Sequence, residues 1–360
     1  MSHIFRAGII GCGFIANNKH LPALQKLSGR LALTAFCDIR QERAQKACKE
    51  YGAPGAQVFT DYRKLLEQEL EIVYVLTPNH MHCEITVAAL EAGKHVLCEK
   101  PMALNTAQAQ QMLDASRRCG RRLYIGYQYR YQPQSQYLYR LAHSGALGEI
   151  YMAQANAVRR RGVPTWGVFL DKRQQGGGAL IDIGTHALDM ALWMMDNYHP
   201  KAVLGTTFDK IAKQCSDGNR FGPWDRDAFD VEESAFAQIV MENGACIYLR
   251  ASWALNCLDT REQQITLCGT LAGADMDDGV RVNGIRQGAP YIERPELFVG
   301  CVPGEEKGQT PADLEAEGWL DAIEFDGEQL VKPEQALMVT RILEAVYQSA
   351  AEKKAVYLQE

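Results

Sequence analysis

The 360-residue sequence lacks several features that mark special classes of protein. It has no apolar run of about 18 residues, the length of a membrane-spanning helix, so we expect no membrane segment. Its first residues, MSHIFRAGIIGCGF, lack the charged, apolar and small-residue order of a signal peptide. Its 11 cysteines include no CxxC pair and several lie in apolar runs, which is typical of a reducing compartment. We therefore predict a cytoplasmic protein.

The sequence also lacks an excess of positive charge, because 38 Lys and Arg residues stand against 44 Asp and Glu residues. A net charge of −6 argues against a nucleic-acid partner, which requires clustered cations. His80 and His82 have the look of a metal pair, but no further ligands converge on them in sequence, so we predict no metal site. With 47% hydrophobic residues the composition is that of a globular protein, and the length allows two domains.

What is present in the first 126 residues is a regular alternation of short apolar runs and helical patterns. The runs are RAGIIGCG, LTAFCDI, IVYVLTP, HVLCEK and RLYIGY. Strands that are apolar throughout and separated by helices predict a parallel sheet covered on both faces. The pattern therefore predicts an α/β fold with a doubly wound domain over residues 1–126.

The pattern changes after residue 127, where the strands become longer and alternate between apolar and polar residues. Two of them are joined by ENG, a hairpin signal, so we predict a largely antiparallel sheet within a second domain over residues 127–332. Residues 215–230 and 284–311 are rich in Gly and Pro and predict loops. An amphipathic helix over residues 333–353 is expected to pack back on the first domain through its apolar stripe, which consists of Ala336, Val339, Ile342, Leu343 and Val346.

A glycine-rich turn after the first strand indicates a dinucleotide site. The segment GIIGCGFIA places a G-x-G-x-x-A pattern at Gly11, Gly13 and Ala16. The first glycine permits a tight turn, the second lets the backbone approach a pyrophosphate, and the alanine allows close helix packing. We therefore predict that the cofactor is bound by the residues of this turn: Gly11, Gly13, Phe14, Ile15 and Ala16.

Asp38 ends the second strand at the distance where this pattern places its acid. A carboxylate there accepts both ribose hydroxyls of NAD and repels a 2′-phosphate; the alternative is an Asp that caps the next helix. Arg40 either stacks on the adenine or accommodates a 2′-phosphate. With Asp38 present, we predict NAD in preference to NADP.

Two further segments carry unusual polar residues. The segment CEKP ends a buried strand with Glu99 and Lys100, and GGGALIDIGTHALD places Asp182 and His186 in an apolar helix after three glycines. A lysine beyond the carboxyl end of such a strand points into the ligand crevice of an open sheet. Seen alone, Lys100 is better interpreted as a solvated loop residue, and Asp182 with His186 as an ordinary buried hydrogen-bonded pair.

Taken with the glycine-rich turn, these two segments resemble the Gfo/Idh/MocA oxidoreductases over essentially the whole chain. The resemblance implies a Rossmann domain followed by an α/β domain whose open sheet makes dimers or tetramers. It implies that Lys100, Asp182 and His186 form the catalytic set. The three glycines are interpreted as allowing the backbone to approach substrate and cofactor.

The resemblance also implies roles for residues that follow other strands of the first domain. The additional cofactor residues are Thr77, Asn79, His82, Glu99, Lys100 and Gln128. Gln128 and Arg130 are expected to line the substrate site. From the residues alone, Asn79 and His82 are also a loop Asn and a helix-starting His, and Gln128 and Arg130 are also parts of a polar linker.

The segment before the GGG helix, NAVRRRGVPTWGVFLDKRQQ, resembles a bacterial subgroup of the family that includes D-glucoside 3-dehydrogenases. An aromatic face for stacking and cations for hydroxyls or an anion predict a sugar-binding edge, made by Arg160, Trp166 and Lys172. In isolation, a run of three arginines is more often a solvated strand edge.

Together with these residues, the resemblance implies an NAD-dependent dehydrogenase that acts on a secondary alcohol of a sugar or glycoside, at C3 of a pyranoside. The alternative is an NAD-dependent glycosidase that works by transient oxidation at C3 and elimination. A third hypothesis is a non-catalytic dinucleotide-binding regulator, because a fold does not determine a function; the intact catalytic set argues against it.

Overall fold

The computed structural model describes residues 3–297 and 306–358, which fall into two compact units. The first unit contains Met1–Gln128 and Glu306–Leu337, and the second contains Tyr129–Glu305 and Met338–Glu360. The observed boundary after Gln128 lies two residues beyond the predicted one. Each unit has its own sheet and its own helices.

The first unit is built on a parallel sheet of six strands in the order β3-β2-β1-β4-β5-β6. The strands are β1 (Phe5–Ile10), β2 (Leu31–Cys37), β3 (Gln57–Phe59), β4 (Ile72–Val75), β5 (His95–Cys98) and β6 (Leu123–Ile125). The doubly wound prediction is confirmed. The strand order reverses between β1 and β4, and ligands of such sheets lie beyond the carboxyl ends of the strands at this point.

Helices of the first unit connect these strands. A π-helical turn over Ala16–His20 runs into α1 (Leu21–Lys26), followed by α2 (Gln41–Tyr51), α3 (Tyr62–Leu66), α4 (His82–Glu91) and α5 (Thr106–Cys119). The sequence explains the ends of α5: the Asn105 side chain accepts from the Gln108 N–H at the start, and Gly120 takes the left-handed conformation at the end.

A segment from the C-terminal third of the chain returns to the first unit as α9 (Pro311–Glu324). It begins with a capping box in which Thr310 and Asp313 satisfy each other's backbone N–H groups. Lys26 Nζ lies 2.7 Å from the Asp313 carboxylate, and the Tyr124 and Trp319 rings lie 5.5 Å apart. The chain therefore closes the first unit with α9.

The last helix, α10 (Pro333–Glu352), forms as predicted. Its first five residues, through Leu337, belong to the first unit and those from Met338 onward to the second, so its packing on the first domain stays a prediction. Within the second unit it packs on strand β8 (Pro200–Phe208), where Gly205 has no side chain: a Cβ there would stand 2.7 Å from the Val346 side chain. The predicted apolar stripe is buried throughout, at Ala336, Val339, Ile342, Leu343 and Val346.

The second unit is built on a nine-stranded sheet in the order β14-β13-β12-β11-β7-β10-β9-β8-β15. Its other strands are β7 (Ile150–Val158), β9 (Ser234–Met241), β10 (Cys246–Ser252), β11 (Glu262–Gly269), β12 (Ala272–Asp275), β13 (Arg281–Arg286), β14 (Ala289–Glu293) and β15 (Val356–Tyr357). Strands β7 and β10 pair in parallel and the other pairs are antiparallel. The mostly antiparallel open sheet is confirmed, as is the hairpin at ENG.

One predicted loop contains regular structure. The segment 284–311 includes the end of β13 and all of β14, which pair through a two-residue turn at Gln287 and Gly288. Both turn residues have positive φ angles, 51° and 79°. This geometry is the type that matches the twist of a tight hairpin, so the Gln-Gly pair was a turn signal. Residues 298–305 of the segment lie outside the described residues.

The remaining helices of the second unit are α6 (Pro133–His143), α7 (Lys172–Gln175) and α8 (Thr185–Met195). Gly184 and Gly205 let α8 and α10 approach one face of the large sheet. On the opposite face a row of paired residues includes the exposed Leu204 and Tyr248. The homo-oligomer expected through this face stays a prediction. Within the described ranges, no helix is both long and apolar enough to span a bilayer.

Candidate active site

The glycine-rich turn follows β1, and its two glycines are needed for different reasons. Gly11 has a φ of 95°, and a Cβ there would stand 2.5 Å from the Leu76 carbonyl oxygen, so the turn itself requires glycine. A Cβ at Gly13 would meet no protein atom within 4 Å. The protein's own packing therefore does not require Gly13, and the open space beside its backbone fits the predicted approach of a pyrophosphate.

Asp38 is buried at the end of β2 and holds the turn. Its Oδ2 accepts from the Cys12 N–H and its Oδ1 from the Arg40 N–H, both at 2.9 Å. The N-cap residue of α2 is Arg40, so the alternative in which Asp38 caps that helix does not hold. Arg40 is exposed. The acid stands where the dinucleotide pattern places it, and its contact with a ribose stays a prediction.

The segment after β4 carries three predicted cofactor residues. The Thr77 hydroxyl is buried and has no hydrogen-bond partner within residues 3–297 and 306–358. Such a hydroxyl suits a polar ligand, because a buried polar group without a partner is costly. Asn79 is buried and opens a short 3₁₀ turn, Asn79–Met81. Both remain candidates for the cofactor.

His82 links two segments of the first unit, and its predicted cofactor contact stays a prediction. Its ring is fully buried, with Nδ1 2.8 Å from the Pro101 carbonyl oxygen and Nε2 3.0 Å from that of Thr77. Burial lowers the pKa of His82. The ring therefore joins the segment after β4 to the segment after β5, which carries Lys100.

Glu99 forms several hydrogen bonds within the first unit. Its Oε1 accepts from Lys19 Nζ at 2.6 Å and lies 2.8 Å from His20 Nε2, and its Oε2 accepts from the Lys100 N–H at 3.0 Å. The buried carboxylate therefore holds the backbone at Lys100, and its predicted cofactor contact stays a prediction. Lys100 itself is half-buried. The Lys-His pair in the first helix was the sequence signal for this contact.

Lys19 has a second acid partner, Glu315 of α9, at 2.8 Å. All three charged groups are buried, and two carboxylates share one ammonium. Burial outweighs the opposing effect of Lys19 and, together with the nearby Glu99, raises the pKa of the Glu315 carboxyl to about 7. Two like charges in one buried site cannot both ionise freely, so Glu315 is the member of the pair that keeps its proton longer.

Asp182 and His186 lie on one continuous helix of the second unit. A π-helical turn, Leu180–Gly184, contains Asp182 and runs into α8, which contains His186. The sequence predicted a regular α-helix; π turns inside helices are frequent at functional sites. Residues 180–194 are buried except Asp182, which is half-buried. Its Oδ2 accepts from the Trp253 indole N–H at 3.0 Å, and the His186 ring lies edge-on to Tyr129 at 4.6 Å.

The protein's own structure explains the three glycines before this helix, which we had interpreted as allowing the backbone to approach substrate and cofactor. Gly176 has a φ of 84° at the end of α7. A Cβ at Gly177 would stand 1.9 Å from Tyr347 Oη, and one at Gly178 would stand 2.0 Å from the Glu232 carbonyl oxygen. Protein groups, and not a substrate, therefore require the last two glycines.

Arg130 forms a buried ion pair with α8. Its side chain is fully buried, and it donates to both carboxylate oxygens of Asp189 on α8, at 3.0 and 2.6 Å. Its guanidinium lies 5.3 Å from the centre of the Trp193 ring. A buried guanidinium needs such a partner because desolvation of a lone charge is very costly. Arg130 thus fixes α8, and its place in the substrate site stays a prediction.

The predicted sugar-binding residues keep accessible side chains. Arg160 and Lys172 are exposed, and Lys172 is the first residue of α7. Trp166 is half-buried and meets Phe169 and Phe221 edge-on at 5.9 and 4.9 Å. Gln128 is half-buried at the end of the first unit. Across the described residues, no cluster of three or more His, Cys, Asp or Glu has the arrangement of a metal site.

The fold and the glycine-rich turn define an NAD(P)-binding oxidoreductase. Residues 5–127 match the family described as "Oxidoreductase family, NAD-binding Rossmann fold", and residues 141–358 match "Oxidoreductase family, C-terminal alpha/beta domain". The chain belongs to the Gfo/Idh/MocA oxidoreductases, a family of NAD(P)-dependent sugar dehydrogenases.

Individual relatives agree with this assignment. The chain is 35% identical over 346 residues to D-glucoside 3-dehydrogenase of Escherichia coli (strain K12), covering 96% of this chain and 95% of that protein. Its fold is similar to that of levoglucosan dehydrogenase in complex with NADH and levoglucosan, with a TM-score of 0.84, 22% identity, and 99% and 100% of the two chains covered. It is also similar to GenD2 from gentamicin A biosynthesis in complex with NAD, with a TM-score of 0.77, 25% identity, and 100% and 98% covered.

The raised pKa of Glu315 predicts a pH dependence of stability. The carboxyl binds its proton more tightly in the folded state (pKa about 7) than in the unfolded state (pKa 4.5). Its contribution to stability is therefore present below the unfolded value and is lost as the pH rises through the folded value. We expect Glu315→Gln, which does not titrate, to gain melting temperature relative to the natural protein between about pH 5 and about pH 8.

The matched control is Glu328→Gln, which changes an exposed glutamate of the same unit. Its melting temperature is expected to follow that of the natural protein at both pH values. A melting-temperature difference for Glu315→Gln that stays constant over this range would contradict a raised pKa.

Proposed function

We propose that this protein oxidises a secondary alcohol of a sugar or glycoside, at C3 of a pyranoside, with NAD as the hydride acceptor. The observation that carries the proposal is the helix of the second unit, which places an accessible acid and a histidine four residues apart among otherwise buried residues. The similarity to D-glucoside 3-dehydrogenase supports the substrate class.

The proposed chemistry needs a base and a cation at one oxygen. Oxidation of an H–C–OH group breaks its C–H and O–H bonds and forms a C=O bond, and the bound nicotinamide supplies the hydride acceptor. We assign His186 to take the hydroxyl proton, since an imidazole titrates near neutral pH. We assign the Lys100 ammonium to the same oxygen, where it stabilises the developing negative charge.

Asp182 is assigned to a neighbouring hydroxyl of the sugar or to the orientation of the imidazole. Its Oδ2 accepts from Trp253, which fixes the direction of the carboxylate, while its partial exposure keeps it accessible to a ligand. Trp166 is proposed to offer a stacking face, and Arg160 and Lys172 to offer cations to hydroxyls or to an anionic group.

The residues of the first unit fit a dinucleotide. Gly13 leaves its backbone open, the buried Thr77 hydroxyl suits a polar ligand, and the Asp38 carboxylate stands at the end of β2. We propose NAD in preference to NADP, because a carboxylate repels the second phosphate of NADP and accepts from the hydroxyls of NAD. Gln128 and Asn79 are proposed to contact the nicotinamide half.

Titration of the two reduced cofactors tests this preference. We expect NADH to bind at least tenfold more tightly than NADPH, which corresponds to about 1.4 kcal/mol. Asp38→Asn removes the charge but keeps an oxygen for the Cys12 N–H, so the preference should shrink. Asp61→Asn, at an exposed helix cap of the same unit, should keep it. If NADPH binds tenfold more tightly, Arg40 and not Asp38 governs the choice.

Loss of either proposed reactive group should lower turnover without loss of cofactor. We expect Lys100→Met and His186→Ala each to reduce kcat at least ~10²-fold, the usual scale for an acid–base group. NADH affinity should change by less than about threefold, because neither substitution touches the glycine-rich turn. The controls are Lys46→Met and His199→Ala, which change exposed residues. Near-normal turnover of both test variants would refute the assigned roles.

The amount of NAD reduced per product formed distinguishes the proposed dehydrogenase from a glycosidase that uses NAD. With methyl glucoside or a similar pyranoside, a dehydrogenase reduces one NAD for each product formed, so the absorbance of reduced nicotinamide rises. A glycosidase that returns its hydride releases aglycone from a chromogenic glycoside with only catalytic NAD. We expect net reduction. Aglycone release without net reduction would overturn the dehydrogenase assignment, and a base for the C2 proton would then be sought at Tyr129 beside His186.

A further inference from the structure

We propose that Glu232 and Tyr347 are positioning residues, which place Asp182 and His186 by holding the start of their helix. The inference rests on the proposed function, because it gives the contacts of Glu232 and Tyr347 with the helix start a part in catalysis. Neither residue belongs to the motifs of the candidate site. Glu232 lies just before β9 and Tyr347 lies in α10, and both are distant from the helix in sequence.

Glu232 binds three consecutive backbone N–H groups at the helix start. Its carboxylate accepts from Gly178, at 3.0 and 2.9 Å to the two oxygens, and from Leu180 at 3.0 Å. Its main-chain carbonyl accepts from the Ala179 N–H at 3.2 Å. The first N–H groups of a helix have no partner within it, and a carboxylate is favourable at this end. Glu232 therefore supplies the cap that the sequence GGGAL lacks.

Tyr347 fixes the orientation of that carboxylate. Its hydroxyl donates to Glu232 Oε1 at 2.9 Å. Burial and the neighbouring Glu232 raise the pKa of Tyr347 well above its usual value, so the hydroxyl keeps its proton and remains a donor. With Tyr347 in place, one carboxylate oxygen is shared between α10 and the helix start, and the carboxylate cannot rotate away.

The local backbone fits these two groups so closely that little displacement is possible. The Cβ positions at Gly177 and Gly178 fall 1.9 Å from Tyr347 Oη and 2.0 Å from the Glu232 carbonyl oxygen. The Asp182 N–H donates to the Gly178 carbonyl at 2.9 Å, so Gly178, which Glu232 holds, is hydrogen-bonded directly to the candidate acid. His186 follows one turn later. A shift at Gly178 is therefore passed to both proposed reactive side chains.

The test is Tyr347→Phe, which removes one hydroxyl and little volume. Misplacement of a reacting group by a fraction of an ångström lowers the rate of the chemical step. We expect kcat to fall about tenfold or more, while the KM for NAD, whose proposed residues lie in the first unit, stays within about twofold. Amide hydrogen exchange of a peptide covering residues 176–186 should become faster.

The matched control is Tyr62→Phe, which removes a tyrosine-to-glutamate hydrogen bond of the same kind, to Glu84 at 2.6 Å in the first unit. It should leave kcat and the exchange of residues 176–186 unchanged. A second variant, Gly177→Ala, displaces the Tyr347 hydroxyl without removing it and should reproduce the fall in kcat. An unchanged KM for NAD in both test variants excludes a general fault of folding.

Three outcomes separate this inference from the proposed function. Unchanged kcat in Tyr347→Phe, with or without faster exchange, overturns the positioning role. A rise in the KM for NAD of the same size as the fall in kcat also overturns it, since that indicates a general structural fault. An unmodified protein that oxidises no sugar contradicts the proposed function instead, and the exchange of residues 176–186 still decides whether Tyr347 holds the helix start.

Discussion

Buried charge that must be paired is the constraint on which the candidate site depends. Lys19 lies between Glu99 and Glu315, Arg130 lies against Asp189, and the Glu232 carboxylate caps a helix. A charge removed from water is costly until a partner of opposite sign or several hydrogen bonds compensate for it. Each of these groups therefore fixes the backbone beside it, and in each case that backbone carries a proposed reactive or binding residue.

This constraint separates side chains that contact small molecules from side chains that hold them in place. Glu99, His82 and Arg130 are polar residues within motifs, and sequence reasoning assigned all three to ligands. In the structure their polar atoms are occupied by other protein groups. Lys100 and Asp182 are partly exposed instead, and Thr77 carries a buried hydroxyl suited to a polar ligand.

The division of the chain into two units corresponds to a division of tasks. The first unit has a parallel sheet with the glycine-rich turn and Lys100, and the second has the large open sheet and the helix with Asp182 and His186. Both units are those of the family, because its Rossmann domain matches residues 5–127 and its C-terminal α/β domain matches residues 141–358. Within the second unit, the final helix closes one face of the sheet and reaches Glu232 through Tyr347.

The sequence by itself determined the fold class, the first sheet, the last helix and the positions of the dinucleotide turn. These follow from local signals: apolar strands alternating with helices, a turn that only glycine permits at Gly11, and an apolar stripe with helical spacing. The family resemblance, which depends on short motifs, likewise needed no three-dimensional information to be recognised.

The tertiary structure alone decided what surrounds each polar residue. Partners such as Glu315 for Lys19, Asp189 for Arg130 and Tyr347 for Glu232 are 296, 59 and 115 residues apart along the chain. No local pattern of residues encodes such a contact, because it forms only when sheets and helices pack. The same reason explains why the glycines before Asp182 were assigned to a ligand: the groups that require them, Glu232 and Tyr347, come from later segments of the chain.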